Sequence, residues 1–244
     1  MNSWTNLAYG KFSGRIEALT SIIIVRNAHV CPSVYYAIST LDPHESLLSA
    51  SALPNLALFF VGVMSLGFHL SLKYATQMCD DLSMFWVCAA IIFEIYGLDK
   101  SRNARAAIGL SLTSTLGIIS VIHYRINQLW LHNSTFVLLV TAIWPRVVYL
   151  IRHKLKGQEK RDAIRTFRIG GTSFLLGFVL WLIDGAVCGW LRDVRGGIGL
   201  PWAFFLELHG WWHILTAVGA GIVIRLTKRL TKEDGKAGEG EKRQ

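Results

Sequence analysis

The sequence predicts an all-α fold, a polytopic bundle of transmembrane helices, and three observations carry that prediction. Hydrophobic residues make up 52% of the 244 and charged residues only 17%, where soluble domains carry about 25% charge. The apolar residues gather into six runs, at 53–72, 82–98, 106–123, 134–151, 169–190 and 202–224. Each is near the length of about 20 residues that a helix needs to cross hydrocarbon. The charges, finally, alternate with the runs. The connections 99–105 and 152–168 and the segment from Arg225 hold 17 Lys or Arg, against 4 in the connections 73–81, 124–133 and 191–200. The net charge of +9 therefore reflects topology and not nucleic-acid binding. Basic connections stay in the cytosol, so the C-terminus is expected there and residues 53–72 run outward from it.

Residues 1–52 read as a divergent N-terminal segment. The run Ile16 to Val25 is too short to span a membrane, and Met1 to Gly10 lacks the basic start and apolar stretch of a cleavable leader. Residues 27–52 are polar and broken by proline. Residues 53–225 form the expected transmembrane catalytic bundle, and 226–244 a polar cytosolic tail. The four cysteines have no C-x-x-C spacing, which gives neither a zinc ribbon nor a disulfide framework.

Ionisable groups inside spans are costly, so they mark function or pair with a neighbour. Within the spans stand His69, Glu94, Arg146, Asp184, Glu207, His209 and His213, with Asp80 and Asp81 just before the second run. Glu94 and Arg146 are expected to pair. Asp184 is a candidate partner behind a metal-ligating histidine, or equally a helix–helix hydrogen-bonder. Trp181, Trp190, Trp211 and Trp212 are expected as interfacial anchors. Gly196-Gly197-Ile198-Gly199 is expected as a loop leading into Pro201.

His209 and His213 lie four residues apart, as do Ser65 and His69, and a helix sets such pairs on one face. The first run travels outward and the last travels inward. Ser65 and His69 therefore reach the same outer layer as Asp80, His209 and His213. Three neutral imidazoles with an open fourth position form a catalytic zinc arrangement. A nearby Asp can take a proton from water, and a Ser hydroxyl can steady an oxyanion.

These residues stand in recognisable blocks. Ser65-Leu66-Gly67-Phe68-His69-Leu70-Ser71-Leu72-Lys73-Tyr74, followed by Gln77-Met78-Cys79-Asp80-Asp81-Leu82-Ser83-Met84, resembles the signature of the alkaline ceramidases. So does Leu208-His209-Gly210-Trp211-Trp212-His213-Ile214-Leu215-Thr216. Trp181-Leu182-Ile183-Asp184, with Cys188, Leu191 and Arg192, is similar to the family's sixth span. The resemblance covers residues 53–225.

It implies a seven-span intramembrane hydrolase of the endoplasmic reticulum or Golgi that cleaves the ceramide amide into a sphingoid base and a fatty acid. The implied zinc ligands are His69, His209 and His213, with the site toward the lumen. The implied catalytic residues are Ser65 and Asp80, the latter activating water. The implied partner is a membrane lipid and not nucleic acid. Family members begin with an acidic calcium-binding segment around Trp-Cys-Glu, and no calcium-binding residues are found here. Asn2-Ser3-Trp4-Thr5-Asn6 resembles part of the family's first span, which is expected to be degraded or truncated in this chain. The alternative function is that of a catalytically impaired pseudo-enzyme or a receptor-like seven-span lipid-binding protein.

Overall fold

The computed structural model describes residues 32–41, 46, 49–199 and 202–241, with side chains through residue 231. Among the described residues every regular element is helical. A short helix α1 (Pro32–Ser39) precedes a 3-10 turn (Ala50–Ala52). Six long helices follow: α2 (Leu53–Ser71), α3 (Tyr74–Gly97), α4 (Arg102–Ile126), α5 (Leu129–Lys154), α6 (Gly157–Ile198) and α7 (Leu208–Glu241). A second 3-10 turn, Trp202–Leu206, lies between the last two. All six apolar runs have become helices, and the last run enters its helix through that turn.

Local chemistry sets the helix ends. Pro54 opens α2 in its first turn, where a missing N–H costs nothing. The Ser101 hydroxyl accepts from the Ala104 amide at 3.3 Å and caps α4. Leu72 (φ 51) and Asn127 (φ 46) close α2 and α4 in the left-handed conformation, and their amides return to Phe68 and His123 carbonyls at 2.7 and 2.8 Å. Connections this short make successive helices antiparallel. At one end of the bundle the Tyr74 hydroxyl donates to the Tyr124 carbonyl at 2.7 Å. At the other, Lys154 pairs with Asp99 at 3.1 Å.

The interior is filled by Leu58, Phe85, Ile95, Leu150 and Ile224, all at most 2% exposed. The outer face is also apolar: Leu110, Leu138 and Ile118 are 70%, 69% and 62% exposed. A surface of this kind suits lipid and not water. Four helical stretches, Ala50–Ser71, α4, α5 and α6, are long and apolar enough to cross a membrane. α3 holds Asp80, Asp81 and Glu94, and α7 holds both histidines of its first turns and a basic end, which dilutes their apolar character. The chain is an all-α membrane bundle. Asn2 to Asn6, which resembles part of the family's first span, and the short apolar run Ile16 to Val25 lie outside the described residues.

α6 and α7 pack backbone to backbone. A Cβ on Gly219 would sit 2.8 Å from the Gly170 carbonyl oxygen, and one on Gly170 would sit 2.8 Å from Ile222 Cγ2. Small residues at crossing points allow such approach in membranes, where no hydrophobic force drives helices together. The Ser173 hydroxyl adds a bond to the Leu215 carbonyl at 2.8 Å. α1 packs on α2 and α7, and Asn55 Nδ2 donates to the Ala37 carbonyl at 2.9 Å.

Several expectations need correction. Glu94 pairs with Arg105, in the first turn of α4, at 2.8 Å. Arg146 instead donates to the Ile95 carbonyl at 3.0 Å and lies over the rings of Tyr96 and Tyr149. Of the basic connection 152–168, residues 157–168 are already helix, and Gly196 to Ile198 are the last turn of α6, with Gly199 (φ 70) as its cap. The polar tail expected from residue 226 needs no correction; α7 runs into it as far as Glu241. Trp212 is not an interfacial anchor: it is 5% exposed and sits among Phe136, Phe174, Phe178 and Trp181 at centroid distances of 6.0–6.3 Å.

Candidate metal centre

Ser65 and His69 stand one turn apart near the C-terminal end of α2. The two-residue link through Leu72 and Lys73 brings the start of α3, and with it Asp80, alongside them. α7 is held at the same end by an ion pair between Arg195, near the end of α6, and Glu207, the residue before α7 begins. The Trp211 amide donates to the Glu207 carbonyl at 3.2 Å, so the first turn of α7, carrying His209, is set by the residue that makes this pair. His213 follows one turn later.

The three imidazoles converge. His69 Nε2 lies 3.2 Å from His213 Nε2, and His213 Nε2 lies 3.0 Å from His209 Nε2. Ring centroids are 4.7–5.4 Å apart. Hydrogen bonding alone accounts poorly for this cluster. His213 Nε2 faces two other Nε2 atoms, and a neutral imidazole carries one N–H that can serve only one of them. A shared cation satisfies all three. Nitrogens bound tetrahedrally at zinc distances stand about 3.3 Å apart, close to the spacings here. The donor set fits the ion.

Ser65 and Asp80 are 5% and 7% exposed, and the Ser65 side chain acts on the Asp80 carboxyl. Both groups belong to the same end of the bundle as the histidines. Asp80 and His213 border an apolar cavity walled by Leu58, Met84, Phe136 and Trp212 and reaching Val223. Ten residues of α7 separate His213 from Val223, so the cavity extends about 15 Å along the helix. Asp184 is half-buried on α6, and the charge that acts on it is that of Arg195. Among the described hydrogen bonds none joins Asp184 to an imidazole.

The structure also gathers a group that sequence reading passed over. One ligand atom each from Asp81, His123 and His132 lies within 4.8 Å of the others. His123 and His132 sit at the ends of two helices, outside a search for charges at mid-span. Their signal was the pairing of two histidines across a short turn.

Known proteins resemble this chain. It is 31% identical to Alkaline ceramidase 3 of Mus musculus over 175 residues, which is 68% of this chain and 60% of that protein. It is 32% identical to Alkaline ceramidase YPC1 of Saccharomyces cerevisiae over 179 residues, 65% of this chain and 55% of that one. The chain thus spans less than two thirds of the length of these curated relatives. The pattern of the Ceramidase family matches residues 17–243, a stretch that contains every residue of the site described above. The chain belongs to the ceramidase family.

Proposed function

We propose that this protein hydrolyses the amide bond of a ceramide (ceramide, dihydroceramide or phytoceramide) to a sphingoid base and a free fatty acid. The observation that carries the reading is the convergence of three histidine Nε2 atoms at the mouth of an apolar cavity, beside a buried Asp and Ser. Family membership and the alkaline ceramidases among its relatives support the substrate class.

His69, His209 and His213 would hold a zinc ion, which when bound acts as a Lewis acid and lowers the pKa of water toward neutrality. The cavity takes one aliphatic chain, so that the amide lies at its polar mouth. Asp80 accepts the proton of the attacking water at a carboxylate oxygen and returns it to the amine nitrogen as the C–N bond breaks. Ser65, buried beside Asp80, turns its hydroxyl to the carbonyl oxygen as negative charge develops there. Asp184 stays a candidate support behind the histidines, acting through the α6–α7 contact. Water is excluded from the chain-binding part by Trp212 and Phe136.

The catalytic unit is the bundle of residues 53–225, with 1–52 and 226–244 flanking it. The partner is a membrane lipid entering from the bilayer, and no nucleic acid is involved. By the positive-inside rule the basic end of the bundle and the C-terminus face the cytosol. The metal centre then lies toward the lumen of the endoplasmic reticulum or Golgi.

The test is hydrolysis of ceramide, dihydroceramide and phytoceramide by the purified chain in water enriched in oxygen-18, with products read by mass spectrometry. Label in the fatty acid, equimolar sphingoid base, and loss of both in His213→Ala are the expected results. Zinc-loaded protein that releases neither product from any of the three ceramides would overturn the proposal.

A further inference from the structure

Asp80 and Asp81 are consecutive, and a helix turns about 100° per residue, so their carboxyls leave α3 in different directions. Asp80 meets Ser65 and the cavity. Asp81 meets the α4–α5 turn. There His123, in the last turn of α4, and His132, in the first turns of α5, are brought together by the two-residue link Asn127–Gln128. His123 Nε2 lies 3.8 Å from Asp81 Oδ2, and the three ligand atoms fall within 4.8 Å of one another.

The two imidazoles are among the most enclosed polar side chains of the bundle. His123 is 2% and His132 5% exposed. Both ring nitrogens of His123 and Nδ1 of His132 are buried with no hydrogen-bond partner among the described residues, and such orphaned groups are costly. Ring packing explains part of the arrangement, since His132 stacks on Phe85 at 4.9 Å and on Phe136 at 6.3 Å. It does not explain the nitrogens. The Asp81–His123 approach is too long for a hydrogen bond and leaves His132 unserved.

We propose that Asp81, His123 and His132 form a second metal site, taking a divalent transition-metal ion, zinc being the one suited to two imidazoles and a carboxylate. To reach zinc-bound spacing the Asp81–His123 pair needs to draw in by about half an ångström and the other pairs by at most about 1.5 Å, which calls for rotations of the Asp81 carboxyl and of the two rings. Asp81 is the outermost of the three, with its side chain 24% exposed, and gives the ion its way in. The ion ties α3, α4 and α5 together. Two of these, α3 and α5, wall the cavity through Met84 and Phe136. The two clusters are neighbours, because Asp81 follows Asp80, which borders the cavity together with His213.

The experiment uses the full chain purified in detergent, stripped with chelator and reloaded with zinc alone. Zinc per chain is read by elemental analysis, and the zinc-dependent rise in unfolding temperature is followed in parallel. Two zinc ions per wild-type chain are expected, with one in Asp81→Asn, one in His132→Gln and one in His213→Ala. Asp81→Asn keeps shape and partial exposure, so it decides the matter if His132→Gln fails to fold. One zinc per wild-type chain, retained in Asp81→Asn and lost in His213→Ala, would overturn the second site and leave the tri-histidine centre standing. One zinc lost in Asp81→Asn and retained in His213→Ala would support the second site and overturn the first.

Discussion

Gly170→Ala tests the close approach of α6 and α7 in the part of the bundle away from the histidines. The added Cβ would lie 2.8 Å from Ile222 Cγ2, 3.1 Å from Ile222 Cβ and 3.4 Å from the Gly219 carbonyl oxygen. Carbon pairs are comfortable at about 3.5–4.0 Å, so α7 must retreat by about 0.7 Å. A branched methyl next to the backbone cannot swing away as a long side chain would. Overpacking of this kind costs about 1–3 kcal/mol. Alanine regains about 1 kcal/mol over glycine in a helix, leaving a net loss of about 1 kcal/mol. For a chain of this size that lowers the unfolding temperature by about 2–4 °C. Gly117→Ala in α4 is the control. Nothing lies within 4 Å of its added Cβ, so only the propensity gain remains and the unfolding temperature rises by about 2–4 °C. The assay is thermal unfolding of detergent-solubilised protein, with zinc content measured alongside. Zinc content should hold in both variants, because Ile222 is nine residues, about 14 Å, along α7 from His213. Two shifts of the same sign would refute the packing argument.

Three further outcomes follow from the site and its surroundings. Asp80→Asn keeps the shape of the side chain and removes the base, so ceramide hydrolysis should fall by about 10²–10⁴-fold with bound zinc unchanged. Ser65→Ala removes a single hydroxyl donor and should lower turnover by about 10²–10³-fold, again with zinc retained; an undiminished rate would remove Ser65 from the mechanism. Trp212→Ala empties the aromatic cluster around a side chain only 5% exposed. It should cost about 3–5 kcal/mol, lowering the unfolding temperature by at least about 6 °C; a surface-anchor role would predict a far smaller change.

Much of this architecture was legible because the membrane restricts what a sequence can do. Apolar runs must become helices in lipid, and the alternation of basic connections fixes which helix ends share a layer. That logic, applied to Ser65, His69, Asp80, His209 and His213, gathers the same residues that the structure brings to one end of the bundle. Partner choice inside the bundle was harder. Glu94 could have met any basic residue on a neighbouring helix, and helix rotation, which the runs do not encode, gave it Arg105. Trp212 carries the composition of an interfacial residue, yet its face of α7 turns inward onto Phe136 and Phe174. The covering of α2 and α7 by α1 was illegible for a different reason. Eight residues from Pro32 to Ser39 are too few for a spanning signal, and the contacts of Val34 with Gly62 and Tyr36 with Gly221, with the Asn55–Ala37 hydrogen bond, reveal their place. His123 and His132 became visible once the turn between α4 and α5 brought them together.

The central claim is that a metal held by His69, His209 and His213 is required for amide hydrolysis. The most direct measurement strips the purified protein of metal and titrates zinc back while fatty acid release from ceramide is recorded at alkaline pH. Release that vanishes on stripping, returns with bound zinc and stays absent in His213→Ala at every zinc concentration is the predicted result. Full release from the stripped protein, or from His213→Ala, would contradict the account.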